Sequence, residues 1–235
     1  MINGRTILGL IPARGGSKRL PKKNIKMIAN KPLLLWTLEA GKQSKFIDRL
    51  IVTSDDEQIL KISTENGAEI VRRPSELSED RTSTYDTIKH TIEKIEEDYD
   101  YICLLQPTSP LRHSGHIDEA LEQLIEKKSD AIISVSEMNE NPHWSNTLNE
   151  DNDMSKFLKP EIKNKRSQDL KKYYHINGAI YICRTDMLLT QKTFFIKSNI
   201  YAYIMNKECS IDIDDEFDFL LADLLLKNKN NTLYD

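Results

Sequence analysis

The sequence predicts an α/β domain: a largely parallel sheet with helices on both faces. Short apolar, β-branched runs at Thr6–Ile11, Arg49–Ser54, Tyr101–Gln106 and Asp130–Val135 have strand character. Helical spacing interleaves with them: Ile88, Ile92 and Ile95 fall at i, i+4, i+7, and Ile117, Leu121, Leu124 and Ile125 at i, i+4, i+7, i+8. Strands alternating with amphipathic helices build parallel sheets, and such sheets bind ligands beyond the carboxyl ends of their strands. The segments that follow strands are therefore the places to look for chemistry.

The first such segment is Ile11–Asn24, IPARGGSKRLPKKN, which holds Arg14, Lys18, Arg19, Lys22 and Lys23 around Gly15 and Gly16. Eight basic side chains precede the first acid, Glu39, in a chain whose net charge is −4. Charge alone fits a solvated loop equally well. Gly-Gly-Ser within the run favours a phosphate cradle, because glycines free backbone N–H groups to point at an anion. No Gly-Lys-Ser/Thr ending and no GxGxxG occurs, so neither the ATPase P-loop nor the dinucleotide fingerprint accounts for it.

After the third strand, Gln106-Pro-Thr-Ser-Pro-Leu-Arg112 presents Gln106, Thr108 and Ser109 on a backbone stiffened by two prolines. Alone, it reads as an ordinary Pro-rich turn. The alternation then breaks between 138 and 176, a polar stretch too long for a plain loop. We expect one domain over 1–235, with 138–176 as a protruding subdomain that serves dimerisation. Gly178–Cys183 and Ile200–Ile204 resume as strands, Gly178 either admitting a ligand or starting its strand. Phe194 and Phe195, if extended, point to opposite sides, one to the core and one to a pocket.

Ser210-Ile-Asp-Ile-Asp-Asp-Glu216 is the second strong signal. In an extended segment Asp212 and Asp214 share a face while Ile211 and Ile213 anchor the other. Two carboxylates on one face make half of a Mg²⁺ site, completed by substrate phosphates and water. The alternative is that Asp214 or Asp215 caps the following helix. That helix carries Phe217, Leu220, Leu221, Leu224 and Leu225 at helical spacing, and the tail 227–235 reads as frayed.

Bulk properties exclude several classes. No 18-residue apolar run or signal-like N-terminus occurs, so no membrane or secreted role is expected. No second basic stripe supports nucleic-acid binding. Cys103, Cys183 and Cys209 show no CxxC spacing, and a reducing cytoplasm is the expected compartment. The histidines show no convincing ligand spacing.

IPARGGSKRLPKKN, QPTSPLR, NGAIYI and SIDIDDEFDF, in this order from residue 11 to 219, together resemble the acylneuraminate cytidylyltransferases, the CMP-nonulosonate synthetases. The resemblance implies a Rossmann-like nucleotidyltransferase fold, and the polar insertion at 138–176 leads us to expect a homodimer. It implies that CTP and an acidic nine-carbon keto sugar react to give the CMP-sugar and pyrophosphate. By motif position, Arg14, Ser17, Lys18, Lys23 and Asn24 would hold the nucleotide, with Arg73 and Thr84 matching further contacts. Gln106, Tyr181, Phe194 and Phe195 would shape the sugar pocket, and Asp212 and Asp214 would bind Mg²⁺. Arg14, Lys23 and Asp212 would carry catalysis, the base being either Asp212 or a metal-bound hydroxide.

Three departures leave the sugar open between N-acetylneuraminic and legionaminic-type acids. Lys22 stands where the family often has Gly, and His175 where many members have Arg. The segment around Trp144 lacks the family's basic residue for the sugar carboxylate, for which Arg166 is the candidate. The alternatives are a transferase acting on Kdo or a sugar 1-phosphate, or a non-catalytic nucleotide-binding regulator.

Overall fold

The computed structural model describes residues 1–79 and 81–231. Strand β1 (Ile7–Pro12) leads through the basic loop to a small hairpin, β2 (Met27–Ile28) and β3 (Lys31–Pro32), and then to α1 (Leu33–Lys42). Next come β4 (Arg49–Ser54), α2 (Glu57–Glu65), β5 (Glu69–Arg72), α3 (Thr84–Ile95), β6 (Tyr101–Leu105), α4 (Ser114–Glu126) and β7 (Ala131–Glu137). An irregular segment precedes β8 (Tyr174–Arg184), α5 (Thr185–Gln191), β9 (Ile200–Ile204) and α6 (Glu216–Asn231).

The main sheet has seven strands in the order β5-β4-β1-β6-β8-β7-β9. All neighbours pair in parallel except β8, which runs antiparallel to both β6 and β7. The central strands are apolar on both sides because both sides are covered. In β1, Ile7 and Ile11 face one core with residues of α1, α4 and α6, while Leu8 and Leu10 face another with Ile88 of α3 and Leu188 of α5. The carboxyl ends of β1, β4 and β6 thus lie together at one edge, where the basic loop, Asp55 and Gln106 follow them.

Two sequence expectations change. The stripe on α6 does not face the core: Phe217, Leu220, Leu221 and Leu224 are exposed, and Phe219, Ala222 and Leu226 are buried. Over 217–226 that helix carries apolar residues nearly all round, so spacing alone does not choose its inner face. The choice is made by tertiary anchors, with Asp223 accepting the Ala29 N–H at 2.8 Å and Lys26 lying over the Phe219 ring. The expected frayed tail is helical up to Asn231, and 232–235 lie outside the described residues.

The segment after β7 carries short 3-10 turns at Pro142–Trp144 and Ser167–Asp169. Its ends meet: the Met138 N–H donates to Tyr173 O at 2.8 Å, and the Asn141 side chain donates to Lys171 O at 2.9 Å. Residues 174–176 belong to β8, paired with Val135 to Glu137, so the strand begins before Gly178. No helix among the described residues is long and apolar enough to cross a membrane.

Candidate active site

The basic loop is shaped by contacts to its own backbone. Gly15 donates its N–H to Asp55 Oδ1 at 3.1 Å, and a Cβ there would stand 2.7 Å from Asp56 Oδ2, so only glycine fits. Asn24, almost fully buried, donates its side-chain amide to Arg14 O at 2.9 Å and closes the loop. Lys22 sits in the left-handed region at φ +53°, a conformation that favours glycine and explains why glycine suits this position. The loop borders a cleft of about 660 Å³, to which Arg14, Ser17, Lys18, Lys23 and Asn24 all contribute.

Arg73 and Thr84 line the same cleft. Arg73 is 5% exposed, donates to Thr87 Oγ1 at 2.9 Å and lies 3.8 Å from Asp55 Oδ1. Burial lowers its affinity for the proton, partly offset by Asp55. Asp55 therefore braces the glycine turn on one side and faces the guanidinium on the other. Sequence reasoning missed Asp55, although its place immediately after a parallel strand was a legible signal.

Asp212 and Asp214 line the same cleft. Ile213 between them is fully buried and donates its N–H to Thr108 O at 2.8 Å. Burial pushes the Asp212 carboxyl above the ordinary carboxylate range, against a hydrogen bond from Thr108, and Asp214 adds to the rise. Its Oδ1 is buried with no hydrogen-bond partner. Asp214 accepts from Arg19 at 3.0 Å and stands 3.8 Å from Lys23 Nζ. Burial pulls the Lys23 ammonium below its usual value, and both aspartates oppose this. Among the described residues no cluster of three or more metal-ligating side chains occurs. Two carboxylates, one with an unpartnered buried oxygen, are a donor set that a hard dication and phosphate oxygens can complete.

A second pocket of about 250 Å³ adjoins the cleft, with Gln106 and Thr84 on the walls of both. Tyr181, Phe194 and Phe195 line it, the Tyr181 ring 5.5 Å from Phe194 and 6.4 Å edge-on from Phe195. Phe194 is buried and Phe195 is 54% exposed. Lys192 is the one charged side chain among the described residues on this wall, and sequence reasoning missed it.

Ser109 is fully buried, turned away from both spaces. Arg166 is ion-paired to Asp169 at 3.0 Å in the segment after β7 and lines neither space. Behind the pocket the fully buried Arg112 donates to Thr37 Oγ1 at 2.7 Å and Gln106 O at 3.3 Å, its pKa pulled to about 10 by burial.

The family model described as Cytidylyltransferase matches residues 8–233. An N-acylneuraminate cytidylyltransferase of Escherichia coli O18:K1:H7 is 41% identical over 97% of this chain and 54% of its own length. A pseudaminic acid cytidylyltransferase of Campylobacter jejuni is 32% identical over 97% of this chain and 99% of its own. A CMP-N,N'-diacetyllegionaminic acid synthase of Legionella pneumophila is 31% identical, again covering 97% and 99%. The chain thus spans about half the length of the N-acylneuraminate relatives it matches. In fold, it is similar to a CMP:2-keto-3-deoxy-manno-octonic acid synthetase complexed with CTP, with a TM-score of 0.73 and 18% identity over 95% of this chain and 99% of that one. Model match, relatives and fold agree: this chain belongs to the cytidylyltransferase family, in the group of acylneuraminate cytidylyltransferases and their nonulosonate relatives.

Proposed function

We propose that this chain activates an acidic nine-carbon keto sugar with CTP, giving the CMP-sugar and pyrophosphate. The observation that carries this is the continuity of the two spaces. A cationic loop and two aspartates meet on the wall of the larger one, and Gln106 and Thr84 open it into the smaller, aromatic one. That is the layout needed to bring a sugar hydroxyl to a triphosphate.

Arg14, Ser17, Lys18, Lys23 and Asn24 hold the triphosphate, with Arg73 and Thr84 on the nucleotide's far side. Lys23 neutralises charge as the anomeric hydroxyl gives up its proton to Asp212 or to water, its oxygen bonds to the α-phosphorus and the bond to pyrophosphate breaks. Such transfers depend on alignment and electrostatics, which a preformed cationic cradle supplies. Asp212 and Asp214 would hold Mg²⁺, which neutralises phosphate charge when bound. Gln106, Tyr181 and Phe195 orient the sugar, and Lys192 faces its carboxylate. A homodimer through the segment after β7 belongs to the same reading, supported by exposed Trp144, Leu148 and Met154 there and by Tyr174 and Ile176 beside them. Cys103, Cys183 and Cys209 are buried and form no disulfide among the described residues, which suits a reducing cytoplasm.

The test is pyrophosphate release from CTP and Mg²⁺ with N-acetylneuraminic, legionaminic, pseudaminic and Kdo acids, and a hexose 1-phosphate as control. Release with a nine-carbon acid supports the proposal. Release only with the hexose 1-phosphate, or with none of the sugars, overturns it.

A further inference from the structure

Strand β8 breaks its register against β7. Ile133 faces Tyr181 and Val135 faces Ile176, so the four residues from Asn177 to Ile180 stand opposite Ser134 alone. Gly178 lies inside this bulge at φ +73°. A break of that size strands buried backbone groups, which must find partners.

The partners are gathered by Asn177, 2% exposed. Its Oδ1 accepts from the Ser134 hydroxyl at 2.6 Å and from the Ala179 N–H at 3.2 Å. Its Nδ2 donates to Ser210 Oγ at 2.9 Å and lies 3.3 Å from Met205 Sδ. Ser134 Oγ in turn accepts the Ile180 N–H at 2.8 Å, and Ser210 donates to Asn206 O at 2.8 Å. A carboxamide both accepts and donates, so it can bind the bulge on one side and the 205–210 segment on the other.

The bulge reaches the active site in two ways. Ser210 precedes Asp212 by two residues, and Ile213 is tied to Thr108 O, so the stretch bearing Asp212 is held at both ends. The Gly178 backbone also presses against the site. A Cβ there would stand 3.0 Å from Gln106 Oε1 and 3.1 Å from Asp212 Oδ2.

We propose that Asn177 is a positioning residue, which sets Asp212 against Gln106 and so joins the metal side of the site to the sugar side. It lines neither pocket. The nucleotide loop has braces of its own through Asn24 and Asp55, besides its contacts to the acidic stretch through Lys23 and Arg19. This inference rests on the proposed reaction and refines it.

Two variants test it. Asn177→Asp keeps the shape and the acceptor but loses the donor to Ser210. Ser210→Ala cuts the same link without burying a charge and guards against a misfolded first variant. Thermal unfolding confirms that each is folded. Partners behind a metal ligand change metal affinity or activity by roughly 10–100-fold, so kcat should fall at least about tenfold, and half-maximal activity should need at least about tenfold more Mg²⁺. KM for CTP, and metal-free binding of CTP by calorimetry, should stay within about twofold, since Asn24 and Asp55 still brace the loop.

Mn²⁺ affinity of the CTP complex, read by electron paramagnetic resonance, should weaken in parallel. That reading stands even where no sugar turns over, which separates failure of this inference from failure of the reaction assigned above. Folded variants with unchanged metal affinity overturn the proposal. So does a loss of CTP binding equal to the loss of metal binding, which would mark a general collapse.

Discussion

The Lys23 ammonium donates to the backbone carbonyl of Ile213, a residue 190 positions further along the chain. One contact thereby ties the cationic loop after the first strand to the acidic stretch before the last helix. Asp212 and Asp214 flank that carbonyl, so the anchor for the lysine is also the hinge point of the carboxylate pair. We expect Lys23→Met to lower kcat/KM by about a hundredfold or more, because it removes a half-buried cation from the cleft to which the proposal assigns the triphosphate. Stability should drop by only about 1 kcal/mol, the worth of one hydrogen bond. Steady-state kinetics with chemical denaturation checks both, and a variant with full activity would remove Lys23 from the site.

Asp212 gives an opposite pairing of activity and stability. Its carboxyl is raised above 3.8 by burial, so between 3.8 and the raised value the folded state holds a proton that the unfolded state has lost. In that window metal-free stability falls as pH rises, and the loss remains complete at neutral pH. Asp212→Asn removes it. The variant should be at least as stable as the parent at pH 7 without metal, yet inactive, and Mg²⁺ with CTP should raise the melting temperature of the parent alone. Because metal needs the carboxylate, the acid limb of the activity profile should lie above pH 3.8. An active, Mg²⁺-dependent Asp212→Asn would refute the metal assignment.

Lys192 ends α5 in the left-handed conformation, φ +57°, with its N–H donated to Leu188 O at 2.8 Å. Lys192→Met should raise KM for the sugar about tenfold, the scale of one lost charge-assisted contact, and leave KM for CTP unchanged. Arg166→Ala provides the rival test. A sugar KM that rises with Arg166→Ala and not with Lys192→Met would move the carboxylate site to the segment after β7.

Lys22 occupies the left-handed region in an exposed turn, donating to Gln58 Oε1 at 3.2 Å. Lys22→Gly should stabilise the fold by about 1 kcal/mol, the cost of that conformation for a side chain with a Cβ. It should change KM for CTP little, since Lys22 is not on the wall of the main cleft. The urea midpoint reads the first effect and initial rates the second.

Much of the site was legible because its residues travel in short blocks at strand ends. Arg14 to Asn24, Gln106 and Thr108, and Asp212 with Asp214 each follow or extend an apolar stretch, and each reaches the cleft. Asp55 and Lys192 were harder to see. A single acid or lysine beside an element end looks like any solvated charge, and only the neighbouring strand or pocket wall distinguishes it. The role of Asn177 was invisible for the same reason, since nothing local says that its amide will meet Ser134 and Ser210.

What the sequence determined by itself is the alternation of elements, the double-sided apolar strands and the polarity of the two charged blocks. These follow from local rules, two-residue and 3.6-residue periods and the turn chemistry of glycine and proline, which need no knowledge of distant partners. The tertiary structure alone decided the reversal of β8, the inner face of α6 and the meeting of Lys23 with Ile213. Each depends on which distant surface competes best for a segment whose local pattern admits several answers. An all-round apolar helix or a strand apolar on both faces takes its orientation from packing and hydrogen-bond satisfaction across the molecule.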